Sequence, residues 1–160
     1  MTTSEKLKRE LEKVLSGSPW YGISIYDTIA KVSFEAAYEK PPGSIHNIAE
    51  IVMHMVAWTE EVMDRMNEMT AALPTSGDWP ETGAPDEQKW QNYVEDLKLV
   101  NVNLAGIIQN FPPEKWIEPI IDENNRESGP VTYEEMIVGL IQHHIYHTGQ
   151  IAILNRIING

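Results

Sequence analysis

Leu7, Leu11, Val14 and Leu15 recur at intervals of three and four residues, the spacing of one face of an α-helix. This first segment begins near Ser4 and breaks at Ser16-Gly17-Ser18-Pro19. Helical character resumes near Trp20 and runs to about Glu39, where Pro41-Pro42-Gly43 stops it. Ser44 reads as the N-cap of a second helix carried to about Met69, with Ile48, Val52, Met55, Val62 and Met66 as its apolar stripe. A loop over residues 70–84 follows, rich in Pro, Gly, Ser and Thr and containing Gly77-Asp78-Trp79-Pro80. Helix connections of that length often carry function. Pro85-Asp86-Glu87 opens a third helix, since proline suits a first turn and acids suit the positive end of the helix dipole. It ends near Asn110, before Pro112-Pro113. The stretch with Trp116, Ile120-Ile121 and Asn124-Asn125 is irregular, with a weak signal for a short hairpin. Thr132 and Glu135 form a capping box that starts a fourth helix, running to about Ile158.

Four amphipathic helices without an internal repeat predict an all-α, four-helix bundle. The length of the second connection leaves room for a connectivity other than simple up-down-up-down. At 160 residues the chain is read as one domain, 1–160, and 42% hydrophobic residues suffice for a packed core. There is no cysteine, which excludes disulfides, thiolate metal sites and cysteine nucleophiles together. The net charge is −12 with no stripe of Lys and Arg to offset it, so a phosphate backbone is repelled and nucleic acid is not expected as a partner. No stretch approaches the ~18 apolar residues that span a bilayer, and the charged N-terminal segment lacks an apolar run of signal-peptide length. The expectation is a cytoplasmic protein with no membrane partner.

The chemistry concentrates in the five histidines, which occupy two short stretches. His46 and His54 lie in S-I-H-N-I-A-E-I-V-M-H-M-V-A-W; His143, His144 and His147 lie in H-H-I-Y-H-T-G-Q-I. With ~100° of rotation per residue, His143 and His147 fall in the stripe of Met136, Leu140, Ile151, Leu154 and Ile158, stacked on adjacent turns. His144 falls ~100° away and reads as a polar flank residue. Unpaired imidazoles in an apolar stripe are costly, and two close ones resist being charged together. A divalent cation bound by both removes the conflict, and spacing of four along a helix is a known chelate. A third ligand is needed, with a position left open. His54 is the leading candidate, beside Ile51, Met55 and Trp58. His46, ~12 Å earlier along a helix axis, cannot reach the same ion and is left near the helix entrance. Glu50 and Glu61 lie on roughly the face of His54, as exposed charges or else as groups orienting its ring or acting as a base. Trp58, Trp79 and Trp90 read as packing residues.

On these residues the chain resembles the DinB/YfiT-like superfamily of proposed metalloenzymes. The resemblance covers nearly the whole chain: Trp20-Tyr21-Gly22, the helix S-I-x-x-I-A-E-I-V-x-H-x-x-x-W, the turn Asp78-Trp79-Pro80, Trp90, and above all the terminal H-x-x-Y-H-x-G-Q-I. It implies a four-helix bundle of unusual connectivity with a three-histidine metal site, whose ligands by position are His54, His143 and His147. His144 departs from the pattern, since relatives often carry an acid there, and this puts the orientation of a neighbouring ligand ring in question. Tyr146 and Gln150 match the pattern without a role attached.

The resemblance implies either a thiol-dependent S-transferase using a low-molecular-weight thiol or a metal-dependent hydrolase, acting on a small-molecule substrate. The cofactor expected is one divalent ion, zinc or nickel, although three imidazoles suit other metals also. The alternative is a non-catalytic binding or structural bundle with a vestigial site. Apolar residues beyond one stripe per helix, such as Ile153, Ile157 and Ile158, predict a homodimer.

Overall fold

The computed structural model describes residues 1–124 and 131–160. Six α-helices and one 3-10 turn build it: α1 (Thr3–Ser16), α2 (Ile25–Ala30), α3 (Phe34–Tyr38), α4 (Ile48–Met66), α5 (Glu87–Asn110), the 3-10 turn Pro113–Ile117, and α6 (Tyr133–Asn159). The described residues contain no strand, only an isolated antiparallel bridge between Pro119 and Thr132. The protein is an all-α helical bundle whose long members are α1, α4, α5 and α6. The bridge carries the pairing of Ile120 N–H with the Val131 carbonyl. Of the expected hairpin's residues, Asn125 lies outside those described.

The long helices follow the apolar spacing of the sequence. Leu7, Leu11, Val14 and Leu15 of α1 are all buried, as are Ile48, Val52, Met55, Val62 and Met66 of α4. Ends are fixed by side-chain caps: Thr2 with Glu5 for α1, Asn47 for α4, Asp86 for α5, and Thr132 with Glu135 for α6. The cap of α4 is thus Asn47 rather than Ser44. Ser44 sits in the preceding turn and donates its hydroxyl proton to the His46 carbonyl at 2.6 Å. The helix also stops earlier than its hydrophobic pattern suggests, because Glu68 adopts a left-handed backbone (φ 64°) that no helix continues through.

The single helix expected over residues 20–39 is instead two short helices. Ser24 and Ser33 each take an extended backbone, and each hydroxyl accepts a bond from the N–H three residues on, which starts a new helix. Serine competes for backbone bonds in this way wherever the chain allows a cap, and two caps nine residues apart divide the segment. Ile25, Ile29, Ala36 and Ala37 still reach the core.

These two pieces determine the connectivity. The helix α2 packs on α1 and α6, and α3 packs on α4, α5 and α6. Together they carry the chain from α1 to the opposite corner of the bundle. There α4 packs between α5 and α6, the same two helices that flank α1. Consecutive long helices α1 and α4 are therefore diagonal neighbours, and the order is not up-down-up-down. The consequence for chemistry is direct: α4 and α6, which carry the two histidine clusters, lie side by side.

Trp116 closes the lower core. It is buried against Phe111, and its indole N–H donates to Ser4 Oγ at 3.0 Å, tying the 3-10 turn to α1. No helix among the described residues is long and apolar enough to cross a membrane.

Candidate metal centre

His54 of α4 meets His143 and His147 of α6, and the three Nε2 atoms form a triangle with every edge 3.1 Å. His54 and His147 are buried and His143 is half-buried. Among the described residues this is the group of histidine and acidic side chains with the spacing of metal ligands. Nitrogens bound at roughly 2.0–2.1 Å to one ion, with angles of about 90–110° between them, lie about 2.9–3.4 Å apart. The observed edges fall within that interval.

Proton counting strengthens the fit. A neutral imidazole carries one N–H. His54 Nδ1 faces the backbone carbonyl of Asp78, and His147 Nδ1 faces Gln150 Oε1 at 2.7 Å; both oxygens can only accept. Each Nδ1 therefore holds its ring's proton, and each Nε2 presents a bare lone pair to the centre. His143 Nδ1 is buried without a partner. Even with its proton on Nε2, His143 could serve only one of the two lone pairs facing it. A cation at the centre accepts from all three.

The electrostatics agree. Burial pushes the pKa of all three rings below the ordinary histidine value of 6.5. For His143, burial acts first and the neighbouring His147 and His54 add to it, bringing the value down to about 4. The Asp78 carbonyl partly offsets the effect at His54, and the Gln150 bond does so at His147. The rings are consequently neutral near pH 7, the state a metal ligand requires.

The loop before α5 supplies the outer support. Gly77 closes a turn with its N–H on the Pro74 carbonyl at 2.9 Å, and its φ of 93° belongs to the region where only glycine is unstrained. Asp78 then uses two groups at once. Its carbonyl holds His54, and its carboxylate accepts the Trp58 indole N–H at 2.7 Å. Trp79 lies flat against His54, ring centres 3.8 Å apart and planes within 9°. The loop is anchored at its other end by Glu61, which is buried, paired with Arg65 and bonded to the Ala72 N–H at 3.1 Å. Arg65 in turn donates to the Ala72 carbonyl at 3.0 Å. Glu61 is therefore neither an exposed charge nor a group at the histidines. Glu50 accepts from or pairs with His46 Nδ1 at 2.9 Å and does not reach His54 either.

His46 stays outside the triangle. His144, expected on the polar flank, is fully buried. Its Nε2–H donates to Asn101 Oδ1 on α5 at 3.0 Å, and Asn101 passes its own amide proton to the Leu97 carbonyl at 2.9 Å. The buried face of α6 is broad: Met136, Leu140, His147 and Ile151 of the expected stripe are buried, and so, beside them, are Ile137, Ile141, His144 and Thr148. The periodicity did not distinguish these faces because Ile145, Ile153 and Ile157 make α6 apolar most of the way round. Asn101 did leave a sequence signal: it interrupts the spacing Leu97, Leu104, Ile108 with a polar residue at a core position. Gln150 had one too, lying three residues from His147 and hence on its face. The Asp78 carbonyl had none, since a backbone group carries no residue-specific mark.

Neither a curated protein nor a solved structure matches the chain. The family model of the DinB superfamily matches residues 26–151, a span that includes all three histidines of the triangle and the loop that supports them. The chain belongs to the DinB superfamily.

Proposed function

We propose that this protein is a metal-dependent enzyme in which His54, His143 and His147 hold one divalent ion, zinc or nickel, leaving coordination positions for a small molecule. The observation that carries the reading is the convergence of three neutral imidazole nitrogens at 3.1 Å with too few protons to satisfy one another. Held by three neutral imidazoles, such an ion would keep its full positive charge and would supply Lewis-acid chemistry that acidifies a water or a thiol. The chain's residues bind and orient. Asp78 and Gln150 hold two imidazoles by their Nδ1 protons, and Trp79 covers one face of His54. Trp58 lies edge-on to both His54 and His143, its indole held by Asp78. A reacting thiol has to arrive as a separate low-molecular-weight molecule, because the chain has no cysteine.

The reaction is either hydrolysis of an ester or amide, or transfer of an external thiol to an electrophilic carbon. Metal-loaded protein is assayed against a panel of both kinds, with and without added thiol, beside His147→Ala. Turnover that requires thiol assigns the transferase; turnover in water alone assigns the hydrolase. Turnover that survives chelation and His147→Ala unchanged ends the metal-centred reading. The exposed apolar residues Tyr146, Ile153 and Ile157, on one face of α6, support pairing of two chains.

A further inference from the structure

Trp79 does more than cover His54. His46 lies parallel to the same indole, ring centres 3.6 Å apart and planes within 6°. Two imidazoles each stacked within 4 Å of one indole cannot share a face without overlapping, so Trp79 is held between them. The order of the stack is His46, Trp79, His54. Its outer end is fixed as well, by the contact of His46 Nδ1 with Glu50 at 2.9 Å. Glu50 is in turn set in place by its own backbone N–H on Asn47 Oδ1, the cap of α4.

The stack solves a positional problem that the Asp78 carbonyl leaves open. A hydrogen bond at Nδ1 fixes the direction of the His54 ring within its plane and leaves rotation about that bond. A flat surface against the ring removes that rotation. The surface is useful only if it is itself rigid, and Trp79 sits in a loop rather than on a helix. His46 supplies the missing wall from the entrance of α4, the helix that also carries His54.

We infer that His46 is a positioning residue for the metal centre: by backing Trp79 it holds the His54 imidazole in the plane that aims Nε2 at the ion. This rests on the three-histidine reading above and adds a fourth histidine that binds nothing itself. Outer-shell partners of metal ligands commonly change affinity by about 10- to 100-fold. His46 acts through a second ring, which puts its effect at the lower end of that range.

The test compares wild type, His46→Ala, His46→Phe and Trp79→Ala by competition titration with zinc, and by NMR of the His54 ring protons in metal-free protein. His46→Ala and Trp79→Ala are each expected to lose about tenfold in zinc affinity. His46→Phe keeps a flat ring and no metal-binding nitrogen, and is expected to retain affinity within about threefold of wild type. In the metal-free protein the His54 ring protons, shifted by the indole current, should move in His46→Ala and return in His46→Phe. Wild-type affinity in His46→Ala overturns the inference, as does His46→Phe being as weak as His46→Ala. If wild type itself takes up no zinc, the metal reading falls first, and the two failures are distinguished.

Discussion

His54 and Asp78 are 24 residues apart in sequence, yet the imidazole Nδ1–H of one donates to the backbone carbonyl of the other. That bond gives the imidazole of a helix residue a fixed direction. It selects the tautomer whose free lone pair is on Nε2, the atom that faces His143 and His147. The same residue, through its carboxylate, holds Trp58 at the edge of the site. Much of the outer architecture thus depends on a turn whose only obvious sequence mark is Gly77-Asp78-Trp79-Pro80.

On the proposed reading, each of the three histidines in the triangle is needed for metal. His54→Ala, His143→Ala and His147→Ala should each lower zinc or nickel affinity by on the order of 100-fold or more, since two ligands remain where three are required. Far-UV circular dichroism should stay essentially unchanged. Elemental analysis of untagged protein and titration of the apo form give the values. Wild type that binds neither ion tighter than about micromolar would falsify the site.

Gln150 orients His147 as Asp78 orients His54, but through a side chain, so it can be changed. Gln150→Ala removes the acceptor at 2.7 Å from Nδ1 and should weaken metal binding about tenfold. Gln150→Glu keeps an acceptor and should lose less. Equal losses in the two variants would mean that Gln150 contributes packing alone.

Acid should destabilise the metal-free protein earlier than carboxylate titration explains. Burial lowers the pKa of His54, His143, His144 and His147 below 6.5, to about 4 for His143 and about 3 for His144. Between the unfolded and folded values the unfolded chain binds more protons. Stability is therefore fully present above pH 6.5 and falls as pH drops toward 4. Urea midpoints between pH 7 and pH 5, a window above most carboxylate titration, read this directly. A flat midpoint across that window contradicts the burial of neutral imidazoles.

The bond between His144 and Asn101 is a structural link between α6 and α5, independent of metal. Asn101→Leu leaves the His144 Nε2–H buried without an acceptor and should cost about 1–3 kcal/mol in urea unfolding. Adding His144→Leu removes the orphaned donor and should restore part of that loss. A double variant less stable than Asn101→Leu alone would show that shape, not hydrogen bonding, dominates there.

Self-association would engage the exposed face of α6. Ile153→Lys places a charge amid Tyr146, Ile153 and Ile157, and should shift sedimentation at micromolar concentration from dimer toward monomer. Wild type that sediments only as monomer removes the expectation.

The all-helical class, the long helices and the place of His143 and His147 on one side of α6 were legible in the sequence because each depends on local rules. Apolar spacing names a helix face, Thr132 with Glu135 or Asp86 names a helix start, and a separation of four positions puts His143 and His147 on successive turns. The same local rules misread residues 20–39, where Ser24 and Ser33 cap two helices inside one apolar pattern, and α6, where a nearly continuous apolar surface concealed that His144 faces inward. Three features belong to tertiary structure alone: the diagonal placement of α1 and α4 that sets α4 beside α6, the Asp78 carbonyl on His54, and the indole of Trp79 between His46 and His54. A backbone carbonyl is present at every residue and a stacked ring has no spacing rule. Which of them meets a histidine is decided only when the loop is folded against the helix.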